Sequence, residues 1–166
     1  KTVKGYLKLN NNNLTSLEFL PYCYSDLNVS NNKLTSLFYC QNIILGFLDC
    51  SNNKIKNLIG SPEIIKDNFN CSYNELETLK GSPQNVEEFF DCSNNKLISL
   101  KGCPSIIKQR FYCEHNELMS LVGCPSEVCG LIFDCSHNKK KFTIDDVERI
   151  YRLAWEYHLK GVTVYR

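Results

Sequence analysis

Ten cysteines and three histidines carry the widest chemistry in this chain of 166 residues. Two segments bring them close together, Cys-Glu-His at 113–115 and Cys-Ser-His at 135–137. A thiol beside an imidazole can act as a nucleophile with its general base, and both groups bind transition metals. Either chemistry requires the thiol and the imidazole to point into one site, so it depends on the elements that position them.

Those elements belong to a repeat. An asparagine recurs at steps of 20 to 22 residues along nearly the whole chain. Its positions are Asn12, Asn32, Asn53, Asn74, Asn95, Asn116 and Asn138. A fixed period of this length is typical of a solenoid, in which each coil packs only against its neighbours. Such a fold presents a long regular surface, so the sequence favours a protein that binds over one that catalyses.

Five cysteines occupy the same repeat position, which is Leu9 and Val29 in the first two coils. They are Cys50, Cys71, Cys92, Cys113 and Cys135. A position that accepts leucine, valine and cysteine is an apolar core position. One thiol per coil forms a line at about 4.8 Å spacing, which does not close four ligands around a zinc ion. We therefore expect free thiols, which favour a reducing compartment such as the cytosol.

Because the cysteine of each Cys/His segment occupies this core position, it points inward, and the histidine two residues later lies at a turn. A Cys/His enzyme is therefore the weakest interpretation of the function, and the sequence predicts no catalytic residue, metal site or cofactor. A glycine-rich loop that could hold a phosphate is also absent from the sequence.

Within each coil, alternating apolar and polar residues predict one short strand, as at 90–93, where Phe90 and Cys92 point inward. In-register strands would stack into a parallel, concave sheet. The recurrent asparagine then has a structural role, since its amide can bond backbone groups that the following turn leaves unpaired. A Gly-Ser-Pro or Gly-Cys-Pro turn leads into an extended return path, which buries one more apolar column. Its members are Val3, Tyr24, Ile44, Ile65, Val86, Ile107 and Val128, with Tyr24 as the irregular one.

The repeated phrase resembles the leucine-rich repeat, L-x-L-x-x-N-x-L, over residues 1–142. The segment LNVSNNKL at 27–34 is similar to the short repeats of bacterial secreted effectors. The later variant, Phe-x-Cys-Ser-x-Asn followed by Gly-Cys-Pro, is similar to repeat proteins encoded by tailed phages and other large viruses. The resemblance implies an α/β leucine-rich-repeat solenoid with a parallel concave sheet and irregular convex turns, and it implies a binding function carried by the variable positions.

The period changes after residue 142. Thr143 and Asp146 resemble a capping box, which marks the start of a helix. The dipeptide Lys-Gly at 160–161 is typical of a helix end. We therefore predict a helix over 144–160.

A strand is predicted next, over 162–165, and the helix and strand together would cap the last of about seven coils. The predicted domains are thus leucine-rich repeats at 1–142, with an incomplete first coil, and a C-terminal cap at 143–166. At the other end, we expect a preceding segment, a partner or self-association to cover the N-terminal edge of the sheet.

Positions that point outward from the predicted sheet are the candidate binding surface. Aromatic residues next to charges suit the anchors of a protein interface. The candidate residues are Phe47, Asp49, Phe89, Asp91, Arg110, Tyr112, Glu114 and Asp134. Scattered exposed apolar residues are also common on monomeric proteins, so the alternative that these residues have no partner stays open.

A net charge of +1 gives no electrostatic case for binding nucleic acid or an anionic membrane. No apolar run approaches the roughly 20 residues that span a bilayer. We predict a non-catalytic protein–protein interaction module. The resemblance implies a viral, phage or bacterial effector that binds or inhibits a host protein in the host cytoplasm. The alternative is a structural subunit or domain of a larger assembly.

Overall fold

The computed structural model describes residues 2–129, 132–140, 146 and 162–163. Over this part the chain winds into stacked coils, and short parallel strands, numbered along the chain, form its ladders. One strand per coil enters an eight-stranded sheet whose order follows the sequence. Its strands are β2 (Leu7–Lys8), β4 (Leu27–Asn28), β6 (Leu48–Asp49), β8 (Phe69–Asn70), β10 (Phe89–Asp91), β12 (Arg110–Tyr112), β14 (Ile132–Asp134) and β15 (Val162–Thr163).

Neighbouring strands pair one whole period apart, so equivalent residues stack. Phe90 lies beside Phe69 and Phe111 in the sheet. Their buried rings form a column, with centroids 5.4 Å apart for Phe69 and Phe90 and 5.8 Å apart for Phe90 and Phe111. Phe133 continues the column 5.2 Å from Phe111. The prediction of a parallel, in-register sheet with an inward apolar column is confirmed.

The return path of each coil is more regular than predicted. It contains a two-residue strand in each coil, and four coils enter it through the same turn, with a glycine at φ 89–95°. Strands β1 and β3 form one parallel pair, and the others form a five-stranded parallel sheet. The return strands are β1 (Thr2–Val3), β3 (Tyr22–Cys23), β5 (Ile43–Ile44), β7 (Ile64–Ile65), β9 (Asn85–Val86), β11 (Ile106–Ile107) and β13 (Glu127–Val128).

The inward residue of β3 is Cys23, so the prediction of Tyr24 at this position was wrong. Cys23 is buried and Tyr24 is exposed. The first coil is one residue short, since Leu7 to Leu27 spans 20 residues and Leu27 to Leu48 spans 21. The missing residue lies between the preceding turn and β3. Aligning the repeats on that turn therefore assigns the inward position of β3 one residue too late in the chain.

The recurrent asparagine bonds the backbone of its own turn, as predicted, and it also ties adjacent coils together. Asn74 Nδ2 donates to the carbonyl oxygens of Cys50, Cys71 and Ser72 at 3.0–3.1 Å. Its Oδ1 accepts the N–H of Ile55 at 3.0 Å. One side chain thus closes its own turn and holds the backbone of the coil before it. The same set of bonds is made by Asn32, Asn53, Asn95, Asn116 and Asn138.

The cysteine column lies in the continuous core between the ladders. Its five members are fully buried beside the leucine, isoleucine and phenylalanine columns. All ten cysteines are free thiols. The packing position expected from the repeat is confirmed for this column.

At the C-terminal end, β15 pairs in parallel with β14, so the predicted terminal strand is confirmed at Val162–Thr163. The predicted helix, 144–160, lies outside the described residues except for Asp146. The predicted division into domains at 142/143 therefore stays a prediction. Within the described ranges, no helix has the length and apolar character that crossing a membrane requires.

Candidate functional site

The candidate residues lie on the face of the eight-stranded sheet that points away from the core, here called the outer face. Strand register places Phe89 beside Arg110, and Tyr112 between Asp91 and Asp134. The rings of Phe89 and Tyr112 meet edge to face, with centroids 6.3 Å apart and planes at 74°. Most of the predicted surface is therefore one continuous patch on β10, β12 and β14.

Phe47, just before β6, and Asp49, on it, form a separate group, because β8 lies between them and that patch. The ring of Phe47 packs against Tyr6, two coils earlier, at 5.5 Å and 62°. Its backbone N–H donates to Asp26 Oδ1 at 3.1 Å. Tyr6 was missing from the predicted site. Its alignment with Phe47 in the repeat was the signal that could have found it.

Phe47, Phe89 and Tyr112 are half-buried, because each pairs with another ring across strands. Tyr6 is more exposed, at 46%. Arg110 is exposed. Half-burial limits the rotamers of these rings before any partner arrives, which reduces the entropy lost on binding.

The aspartates of the outer face have a local structural role that the sequence argument did not foresee. Asp49 Oδ1 accepts from both the N–H and the hydroxyl of Ser51, at 3.0 and 2.7 Å. Asp91 and Asp134 accept the N–H of the serine two residues later, at 2.9 Å in each case. This side-chain turn is typical of Asp and Asn. It recurs in the coils that have asparagine at the same repeat position, Asn28 and Asn70. One oxygen of each carboxylate is thus committed to the fold.

Two coils depart from this pattern of Asp or Asn followed by Ser: the first has Lys8 and Asn10 there, and the sixth has Tyr112 and Glu114. Glu114 is half-buried, and its Oε2 is enclosed with no hydrogen-bond partner among the described residues. Burial, with a further contribution from the charges of Asp91 and Asp134, raises the pKa of Glu114 to about 7. Burial also raises the pKa of Asp91. Hydrogen bonds from Ser93 and from the Glu114 backbone oppose the rise in the pKa of Glu114, so within the described chain its carboxyl group lacks a donor only at Oε2.

The two Cys/His segments do not form a catalytic pair. Cys113 and Cys135 are buried in the core, and burial raises the pKa of both thiols. His115 and His137 are exposed at left-handed turns with φ of 51°. Their rings stack on each other, 4.4 Å apart and 11° from parallel. Among the residues that the structure describes, no three His, Cys, Asp or Glu side chains gather in a way that could hold a metal ion.

Comparison with known proteins identifies the fold. No family model and no curated protein matches the sequence. Among solved structures, the chain is similar to the leucine-rich-repeat domain of a Shigella effector, with a TM-score of 0.51 and 21% sequence identity. The likeness covers 96% of this chain and 80% of that one. Together with the parallel sheet, the repeat of 20 to 22 residues and the asparagine ladder, it establishes that the fold of this chain is a leucine-rich-repeat solenoid.

Proposed function

We propose that the chain is a non-catalytic module that binds another protein through the outer face at β10, β12 and β14. The observation that carries this proposal is the contact of Phe89 and Tyr112 beside the exposed Arg110. Aromatic residues and arginine are the commonest anchors of protein interfaces. Here they stand on stacked strands, so little backbone ordering opposes binding.

The charge of the patch indicates what the partner presents. Asp91, Glu114 and Asp134 lie on neighbouring coils, and Glu114 Oε2 lacks a donor in the part of the chain described. A lysine or arginine of the partner would supply that donor and offset the three carboxylates. Such a contact favours ionised Glu114, so it would release a proton on binding near neutral pH.

Structural likeness to an effector domain favours a role of the same kind for this chain. We infer an effector of bacterial, viral or phage origin that binds a host protein in the host cytoplasm. The reducing conditions of that compartment suit ten free thiols.

Site-specific photocrosslinking tests the proposal. A photoreactive residue at position 110, in the chain expressed in host cells, should crosslink to a protein that the same residue at position 98 does not capture. Ile98 is the control because it is exposed away from the outer face. With the captured protein purified, Phe89→Ala and Tyr112→Ala should each weaken its affinity at least about tenfold. Unchanged affinity in both variants, with the fold intact, would contradict the proposal.

A further inference from the structure

Two bulky residues occupy a backbone conformation that glycine adopts elsewhere in the stack. At the corner before the return path, four coils have glycine at φ 89–95°. The first two coils have Phe19 at φ 68° and Tyr39 at φ 70° in its place. A left-handed conformation costs a residue with a side chain roughly 1–2 kcal/mol. Packing within the chain does not offset this for Phe19, which is 94% exposed.

Strain of this kind is kept mostly where it serves a function. Tyr39 is also largely exposed, at 69%, and its neighbour Phe38 at 55%. The corner of the first two coils therefore presents three aromatic rings to solvent at a cost in stability. At Gly60, the equivalent corner of the third coil, a Cβ would lie 2.9 Å from the backbone of Leu37, so a side chain is not accommodated there.

The outward side of the return strands continues this apolar corner. Tyr22 and Tyr24 pack together with ring centroids 4.9 Å apart. The next two coils have Ile43, Leu45 and Ile64 on their return paths, with Ile43 paired to Ile64. These five side chains are 40–56% exposed. We call the whole set the return patch, which consists of Phe19, Tyr22, Tyr24, Phe38, Tyr39, Ile43, Leu45 and Ile64.

The return patch ends abruptly along the stack. The repeat position of Tyr24 and Leu45 is charged in the next three coils, as Lys66, Glu87 and Lys108. These three residues form ion pairs with each other, Lys66 Nζ to Glu87 Oε1 at 4.0 Å and Lys108 to the other carboxylate oxygen.

A groove opens inside the return patch, where the ladder of return strands is interrupted between β3 and β5. The side chain of Gln41 bonds the backbone of β3 there, accepting the N–H of Cys23 at 2.7 Å and donating to its carbonyl oxygen. The groove has a volume of about 220 Å³, a rim of Tyr22 and Tyr39, and no charged residue in its lining. This volume exceeds that of an apolar cavity that binds benzene, about 150 Å³, so the groove has room for an aromatic side chain.

We propose that the return patch joins two copies of this chain in a two-fold symmetric dimer, with Phe19 of each copy entering the groove of the other. Phe19 precedes Leu20, which lines the groove. The exposed ring of Phe19 and the groove are therefore adjacent parts of one surface. A two-fold interface requires this self-complementarity, since the same surface appears on both sides.

The exposed area fits a dimer. At roughly 150–250 Å² for each whole large side chain, the exposed fractions of the eight residues amount to about 800 Å² per copy. A standard interface buries about 800 Å² on each partner. Homodimer interfaces are also more apolar than transient ones. The eight side chains of the return patch are uncharged and can face a second copy of themselves without opposing like charges, which the acidic outer face cannot do. The two surfaces are separate, so this proposal is independent of the outer-face partner.

Sedimentation of the full chain across low to high micromolar concentration is the test. We expect a monomer–dimer equilibrium that Leu45→Glu shifts to monomer, raising Kd at least about 100-fold because each copy would bury an unpaired carboxylate in the apolar contact. Ile98→Glu is the matched control, since Ile98 has a similar exposure, 59% against 56%, and lies outside the patch. It should dimerise like the original chain.

Phe19→Gly gives a second variant that keeps its fold, because glycine is the residue of the equivalent corner in four other coils. It should raise Kd at least about tenfold, as loss of an interface anchor does, without lowering the urea midpoint. If the chain were monomeric at every concentration, the proposal would be wrong, whether the return patch is exposed to solvent or binds a different partner. A dimer whose Kd is unchanged by Leu45→Glu would place the interface elsewhere and would also overturn it.

Discussion

Asn95 is hydrogen-bonded to Leu76 in the preceding coil: its Oδ1 accepts the N–H of Leu76 at 2.9 Å. Its Nδ2 donates to Cys71 of that coil and to Cys92 and Ser93 of its own, at 3.0–3.1 Å. The side chain is buried. A single carboxamide therefore satisfies four backbone groups that water does not reach, and equivalent carboxamides do the same along the stack.

Asn95→Ala should lower the free energy of unfolding by about 3 kcal/mol, since each buried group left unpaired costs about 1–3 kcal/mol and relaxation recovers part of the total. Urea denaturation measures this. The adjacent Asn94 is half-buried with φ 53°, so Asn94→Gly is its control, because glycine adopts this conformation freely. Equal losses of stability in both variants would contradict the role assigned to the ladder.

Phe19→Gly should raise the free energy of unfolding of the monomer by about 0.5–1 kcal/mol, because relief of the left-handed conformation exceeds the added entropy of the unfolded chain. Phe38→Gly is the control. Phe38 lies in the same aromatic corner but has no positive φ, so glycine should destabilise the chain there. Urea midpoints measured on monomers at low concentration compare the two. Changes of the same sign would show that Phe19 is not strained.

Glu114→Gln should reduce the dependence of stability on pH. The pKa of Glu114 is raised from 4.5 to about 7, first by burial. The stability that its protonated form contributes is complete below the unfolded value and is lost as the pH rises through the folded one. Urea midpoints of the original chain should therefore fall between about pH 5 and about pH 8 by more than those of Glu114→Gln.

Glu87→Gln should change the pH dependence of stability in the opposite direction. The pKa of Glu87 is lowered, first by the hydrogen bond from Lys108, so its contribution is present above the unfolded value and is lost as the pH falls. If the stability of Glu114→Gln varied with pH in the same way as that of the original chain, the carboxyl group of Glu114 would be solvated.

Native thiol titration should separate Cys129 from the cysteine column. Cys129 is exposed, whereas burial raises the pKa of column members such as Cys71 and Cys92 and keeps them from reagents. We expect Cys129→Ser to remove the fastest reacting thiol, while the column reacts only at the rate of global unfolding. Fast modification of Cys71 or Cys92 in the native protein, read by mass spectrometry, would contradict this.

Periodic features were predictable from the sequence. The inward columns and the asparagine ladder follow from residues that recur once per coil, and both are confirmed. A break in the period was harder to place. The first coil lacks one residue, and the sequence does not indicate which half of the coil is shortened, so Tyr24 was assigned where Cys23 lies.

The outer face was predictable as a set of positions but not in its contacts. Asp91 reads as a free charge in the sequence, yet it bonds Ser93, and the Asp-x-Ser spacing was the available signal. Phe89 reads as exposed, yet it pairs with Tyr112, which depends on rotamers that no pattern specifies. The return patch did leave a trace in the sequence, because aromatic residues replace glycine at the corner of the first two coils.

The bonds of the asparagine ladder join residues 19 and 24 positions apart, as Asn74 does with Ile55 and Cys50. Native contacts therefore span about one period however many coils are stacked, so relative contact order falls as the chain lengthens. Removing residues 71–91 would leave Asn70 followed by Cys92, the same residue types that meet at 70 and 71. We expect such a shortened chain to close its loops as readily as the full one, since loop-closure entropy depends on the period rather than on the length.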